Sequence, residues 1–120
     1  MPVFLTRVSI NLRKKGVVME THSTEKYLEQ LLVLMEVKRL YLIKDLSPRE
    51  IAGLLNISIR RLDNILYRCL GLSLSQIIAM YRIQHAAELL KMGVKYRDLW
   101  KFSGFISLTG MDREFEDVVG

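Results

Sequence analysis

The sequence predicts an all-helical protein, and three observations support this fold class. From Ser23 onward, apolar residues recur at spacings of three, four and seven, the repeat of one face of an α-helix. Serines that suit helix starts and glycines that suit helix ends divide this part of the chain into several helices. One stretch also fills every position of a helix-turn-helix. We therefore expect an all-α fold built from helix pairs.

The composition fits one small globular protein. Half of the 120 residues are hydrophobic (50%), which is enough for a modest core and excludes a long unstructured chain. A single cysteine, Cys69, excludes an internal disulfide and a zinc site built on several cysteines. No apolar run approaches the roughly 18 residues of a membrane-spanning helix, and the stretch before Arg13 lacks a small-residue cleavage site after an adequate apolar core. We expect a cytoplasmic protein without membrane association.

Charge is distributed unevenly along the chain. The formal net charge is +5, yet residues 112–120 contain four of the 13 acidic residues and one of the 18 basic residues. The remainder is strongly basic, which fits a polyanionic partner such as nucleic acid. A merely basic globular protein would have the same composition, so charge alone leaves both interpretations open.

Residues 1–22 differ from the rest of the chain. Val8, Ile10 and Leu12 alternate with polar residues, a period of two that predicts a short strand without a partner strand. We expect a poorly ordered or accessory arm over residues 1–22. Three origins remain open: a flexible arm, the remnant of a larger upstream domain, or a mistaken translation start.

The first helix is expected to begin at Ser23 or Thr24, because either side chain can cap it. Its apolar residues recur at helical spacing and predict one buried face. These residues are Leu28, Leu31, Leu32 and Met35.

The stretch from Ser47 to Gly71 is predicted to be a helix-turn-helix. Ser47 is followed by proline and then by a carboxylate, which is typical of a helix start. Ala52 is small enough for a close helix contact, Asn56 tolerates a left-handed turn, and Ser58 can cap the second helix. Apolar residues fill the inner positions: Ile51, Leu55, Ile57, Leu62, Ile65 and Leu66.

The outward face of that second helix is the candidate DNA-reading surface. In a major groove, asparagine can pair with adenine and arginine with guanine, whereas aspartate only accepts, which favours cytosine. Because phosphates repel Asp63, its carboxylate must face a base or pair with Arg60 or Arg61. An ordinary solvated helix face is the alternative. The outward residues are Arg60, Arg61, Asp63, Asn64 and Arg68.

A long amphipathic helix is predicted from Ser73 or Ser75 to Gly93. About 18 residues span roughly 27 Å, and reading helices that enter successive major grooves lie roughly 34 Å apart. A connector of this length, plus the width of the helices that it joins, lets one chain cover two grooves as a monomer. The expected apolar face is Leu74, Ile77, Ile78, Tyr81, Ala86, Leu89 and Leu90.

From about Glu25 to Gly120 the chain resembles the AraC/XylS family of bacterial transcription regulators. The matching stretches are "LSPREIAGLLNISIRRLDNILYRCLGLS", "SLSQIIAMYRIQHAAELLKMG", with Arg82 where the family usually has arginine, and "YRDLWKFSGF". The resemblance implies a homeodomain-like DNA-binding domain over residues 23–120. Its parts would be a first helix-turn-helix at about 47–71, a linker helix at about 73–92 and a second helix-turn-helix at about 95–120.

The resemblance also implies function and site residues. It implies sequence-specific binding of double-stranded DNA and regulation of transcription. In the first unit, base contacts fall on Arg60, Asp63 and Asn64, and a phosphate contact falls on Ser58. Two of these residues differ from common family choices, so no operator can be carried over. In the second unit the candidate residues are Lys95, Arg97, Lys101, Thr109, Asp112 and Arg113, of which Arg113 falls at a frequently basic groove position.

The second unit departs from the family pattern. Trp100 occupies the position that Ala52 has in the first unit, so the indole must separate the helices or rotate outward. Ser103 replaces a branched apolar residue, and Gly110 costs its helix about 1 kcal/mol relative to alanine. The acidic residues near the chain end would repel phosphate. We expect this unit to bind DNA weakly or to contact protein, unless the acids pair with local bases.

The remaining features do not indicate an enzyme. His22 and His85 have no cysteine or acidic partner at metal-ligand spacing, so both are interpreted as structural or surface residues. No nucleophile–base pair or metal-binding group is visible, and we expect no cofactor. The alternative function is a protein-interaction module with weakened DNA binding, which modulates another regulator or RNA polymerase through Trp100 and the acidic end.

Overall fold

The computed structural model describes residues 22–119, and this range contains only helices and connecting turns. The predicted all-α class is confirmed for these residues. The expected strand within the arm of residues 1–22 lies outside them. The elements are α1 (His22–Leu32), which continues as a π-helical turn (Val33–Val37), a 3-10 turn (Leu40–Leu42), α2 (Pro48–Leu54), α3 (Ile59–Leu70), α4 (Leu74–Lys91), a second 3-10 turn (Tyr96–Asp98), α5 (Leu99–Phe102) and α6 (Leu108–Val119).

Side-chain caps fix the starts of the middle helices. The Ser47 hydroxyl accepts from the Glu50 amide and the Ser58 hydroxyl from the Arg61 amide, each at 3.2 Å, as predicted. At α4 the cap is Ser73: its hydroxyl accepts from the Gln76 amide, and the Gln76 side chain accepts from the Ser73 amide at 2.8 Å. Three helix boundaries are therefore set by local sequence.

The expected cap of α1 is wrong. The chain is already helical at His22, so Ser23 and Thr24 lie inside the first turn rather than before it. Thr24 is buried, and the predicted apolar face of α1 lies in the core. Of that face, Leu28, Leu31 and Met35 are buried, and Leu32 packs against them.

The turn between α2 and α3 has the predicted geometry. Asn56 adopts a left-handed conformation, with φ of 55°. Ala52 is buried between the helices, and its carbonyl accepts from the Ile57 amide at 3.1 Å. The inner positions Ile51, Leu55, Leu62 and Leu66 are buried, and Ile57 is half-buried against the same core.

Two hydrophobic cores lie along α4. The first joins α1, α2 and α3 to the first half of α4, which contributes Leu74, Ile77, Ile78 and Tyr81. The second joins the rest of α4 to α5 and α6, and its buried members are Ile83, Ala86, Leu99, Phe105 and Met111. Different residues of α4 thus contribute to the two cores, and we call the residues packed around each core a lobe.

One residue of the predicted apolar face of α4 is exposed rather than buried. Leu90 is 49% exposed, whereas Leu89 packs against the second core. Adjacent residues differ by about 100° around a helix, so the small second lobe covers only one of the two.

The lobes meet at the turn that contains Tyr41. The Arg82 side chain in α4 donates from Nε to the Tyr41 carbonyl at 2.7 Å and from Nη2 to the Ile43 carbonyl at 2.9 Å. The turn after α5 approaches the same carbonyl at Gly104, which has φ of 86°. Burial lowers the pKa of the Arg82 guanidinium, and the Glu114 carboxylate partly opposes that shift. Arg82 thus joins α4 to the Tyr41 turn at the point where Gly104 approaches both.

His85 belongs to this junction, as its structural interpretation requires. Its Nδ1 lies 3.0 Å from Arg39 Nη2, and its ring packs edge-on to Tyr41. Because the guanidinium can only donate, Nδ1 must be unprotonated. Burial and the Arg39 charge lower the pKa of His85, and a hydrogen bond with the Phe102 backbone opposes the shift.

We expect the free energy of unfolding to fall as the pH is lowered through about 6.5. The unfolded chain takes up a proton at His85 near that pH, whereas the native chain does so only at lower pH. The contribution of His85 is therefore complete above about pH 6.5 and is lost as the pH falls towards the native pKa. Urea denaturation at several pH values measures it, and His85→Gln should flatten the decline. Equal pH dependence in both proteins would contradict the assignment.

Candidate nucleic-acid interface

The α3 helix has two contrasting sides. Leu62 and Leu66 are fully buried, and the Gly71 backbone ends the helix by donating to the Tyr67 carbonyl at 2.9 Å. The opposite side is exposed over nearly three turns. Its members recur at spacings of three, four and seven and are Arg60, Arg61, Asn64, Tyr67 and Arg68. Capping and packing therefore hold a polar and cationic face towards solvent.

The predicted residues on this face have different neighbours. Arg60 and Asn64 are exposed near the middle of the face. The Arg61 guanidinium lies 5.9 Å from the centre of the Tyr27 ring, so α1 orients this side chain. The Ser58 hydroxyl is at the exposed start of the helix, where it caps the Arg61 amide. Arg68 is exposed in the last turn.

Asp63 is placed differently from the sequence expectation. Its Oδ1 accepts from the backbone amide of Leu74 at 2.9 Å, in a half-buried contact between α3 and α4. The carboxylate therefore lies at the N-terminus of α4, where the helix dipole favours a negative charge. This contact explains the position of the Asp63 carboxylate without a DNA base or a neighbouring arginine as its partner.

We expect Asp63→Ala to lower the free energy of unfolding by about 1 kcal/mol, because the Leu74 amide loses its partner. Asp63→Asn should cost less, since the amide oxygen can still accept. Urea denaturation measures both. If Asp63 instead read a base, Asp63→Asn would change the preferred DNA sequence without a matching change in stability.

Tyr67 is a member of the face that the sequence analysis missed. Its side chain is 66% exposed, three residues after Asn64 and seven after Arg60. The helical phase alone could have revealed it. Tyrosine brings a ring for apolar contact, for example with a thymine methyl group, and a hydroxyl for hydrogen bonding.

The α6 helix exposes fewer basic residues than α3. Thr109, Asp112 and Arg113 are exposed on it. The Tyr96 hydroxyl donates to Asp112 Oδ1, and this bond raises the pKa of Tyr96. Arg113 is therefore the cation that α6 itself offers on this side.

Further basic residues are exposed on the other elements of the second lobe. Lys95 and Arg97 are exposed next to and within the second 3-10 turn. Lys101 is exposed on α5, where its Nζ lies 3.4 Å from Asp98 Oδ1. These residues do not form one continuous helix face, in contrast to the cations of α3.

Trp100 is half-buried at the edge of the second core. The Lys44 Nζ lies 5.3 Å and the Lys101 Nζ 6.0 Å from the centre of its ring. The indole thus packs partly inward while two ammonium groups cover its outer side. Ser103 is fully buried, and its hydroxyl has no hydrogen-bond partner among the described residues.

The acidic residues of α6 face different directions. Asp112 bonds Tyr96, and Glu114 is half-buried on the side of Arg82. Glu116 and Asp117 are exposed, and neither forms a salt bridge with a residue in the described range.

Comparisons with known proteins add no assignment. No protein-family model, curated protein or solved structure matches the chain. Within residues 22–119, no helix is long and apolar enough to cross a membrane.

Proposed function

We propose that this protein binds specific double-stranded DNA by inserting α3 into the major groove, and that it regulates transcription in the bacterial cytoplasm. The exposed face of α3 is the observation that carries the proposal. It combines three arginines with Asn64 and Tyr67 on a helix whose start is capped and whose other side is buried. Such a face supplies phosphate neutralisation and base-edge hydrogen bonds together.

We further propose a homeodomain-like tandem in which α2 with α3 and α5 with α6 are the two helix-turn-helix units. Three features support this arrangement: the 18-residue α4, the two separate cores and an overall length of 44 Å. A 34 Å groove spacing fits within that length. The resemblance to AraC/XylS regulators points the same way and is consistent with binding as a monomer. The bases around α5 and α6 then assist a reading unit dominated by α3.

The test is selection of bound sequences from a random duplex pool, followed by titration of salt. We expect one enriched motif and an affinity that falls linearly with salt on logarithmic axes. Two enriched blocks about one helical turn apart would support reading by both units. Retention of all duplexes without a preferred sequence would contradict specific binding, and absence of retention at low salt would contradict DNA binding altogether.

A protein-interaction module is the second candidate, and the surface around Trp100 favours it. Large apolar side chains are exposed in the segments beside this indole: Ile43 at 49%, Phe102 at 58% and Ile106 at 70%. Together with Lys44 and Lys101 they suit a partner with apolar and acidic side chains, such as RNA polymerase or another regulator. A chain that fails to bind duplex DNA but co-elutes with such a partner would favour this candidate.

A further inference from the structure

An open groove of about 530 Å³ lies between the first half of α4 and the flank of α6. On the side of α4, the apolar residues Leu72, Ala79 and Met80 line it together with the polar residues Ser75 and Gln76. The α6 side contributes two carboxylates, Glu114 and Asp117, which are one turn apart on the helix. The volume is within the range of small-molecule sites, which combine apolar walls with a few polar groups.

The charge of this groove selects the class of ligand. Glu114 is half-buried, and Asp117 forms no salt bridge with a described residue. Arg82 lies near enough to Glu114 to influence it electrostatically, but its hydrogen bonds go to the carbonyls of Tyr41 and Ile43. An anion would be repelled from this wall, whereas an ammonium group would gain two partners.

We propose that this groove binds a small organic cation. The apolar body of the ligand lies on Leu72, Ala79 and Met80, and its ammonium group pairs with Glu114 and Asp117. The site is separate from the exposed face of α3, and its existence does not depend on DNA binding. Its position between α4 and α6 places a ligand where it contacts both lobes.

The test uses three compounds with one carbon skeleton and different charges: 4-phenylbutylammonium, 4-phenylbutan-1-ol and 4-phenylbutyrate. Each is titrated calorimetrically into the full chain at low ionic strength. We expect saturable binding of the ammonium compound about tenfold more tightly than the alcohol, because two part-exposed carboxylates pair with it. The carboxylate compound should bind most weakly.

Matched variants locate the site. The double variant Glu114→Gln/Asp117→Asn should bring the affinity for the ammonium compound to that of the alcohol. Met80→Ala should weaken the binding of both the ammonium compound and the alcohol. Glu88→Gln is the control, since this exposed carboxylate lies on α4 outside the groove, 3.8 Å from Lys91 Nζ. Circular dichroism verifies that each variant retains its helices.

Three results would overturn the proposal. The first is equal affinity for the ammonium compound and the alcohol. The second is an effect of Glu88→Gln as large as that of the double variant. The third is absence of saturable binding by the ammonium compound to the folded chain.

Discussion

The Gly104→Ala variant is expected to lose about 4 kcal/mol of its free energy of unfolding, a large part of the stability of a small domain. A Cβ atom at this position would lie 2.1 Å from the Tyr41 carbonyl oxygen and 2.9 Å from Arg82 Nε. Those two atoms are hydrogen-bonded to each other, so the methyl group must displace a buried carbonyl and its charged donor. That displacement costs about 3 kcal/mol, and the left-handed backbone adds about 1 kcal/mol.

Gly93→Ala is the matched control. Gly93 has φ of 97°, close to the 86° of Gly104, but a Cβ there would meet no atom within 4 Å. Only the backbone cost of about 1 kcal/mol should appear. Urea denaturation of both variants separates the cost of the left-handed backbone from the cost of the steric clash at Gly104. If the two variants were equally stable, Gly104 would not be the close contact that joins the α5–α6 turn to the Tyr41 turn.

Local signals were sufficient to predict the all-helical class and several element boundaries. Ser47, Asn56 and Ser58 each act within three or four residues of their own position, so their roles are encoded in short segments. The Arg82–Tyr41 junction could not be predicted in this way. Its partners are 41 residues apart, and the contact depends on how the Tyr41 turn packs against α4.

In the candidate interface, too, some features follow from local sequence and others depend on long-range packing. Exposure of Arg60 and Asn64 follows from the helical phase of α3, because Leu62 and Leu66 determine which side is buried. Asp63 lies at the edge of that face, and its role depends on where α4 begins in space. Tyr67 was missed because tyrosine occurs both in cores and on surfaces, so its residue type alone does not indicate exposure.

The second large effect is expected from Asn64→Ala, which should weaken binding to the preferred DNA sequence by about 1 to 3 kcal/mol. The loss should be confined to one base position, where discrimination relaxes, because a side-chain amide can bond both polar atoms of an adenine edge. Asn64 is exposed and alanine is a better helix former, so the folded state is retained. Competition binding with single-base variants of the selected sequence measures the effect.

Arg113→Ala tests the division of binding between the lobes. Arg113 is also exposed, but it shares α6 with four acidic residues. We expect a smaller loss of affinity that is uniform across sequences, with the salt slope reduced by about one. If Asn64→Ala lowered the affinity equally for all DNA sequences, Asn64 would contact the DNA backbone rather than a base. A larger and base-specific loss for Arg113→Ala would show that α6, despite its acidic end, supplies the main sequence contacts.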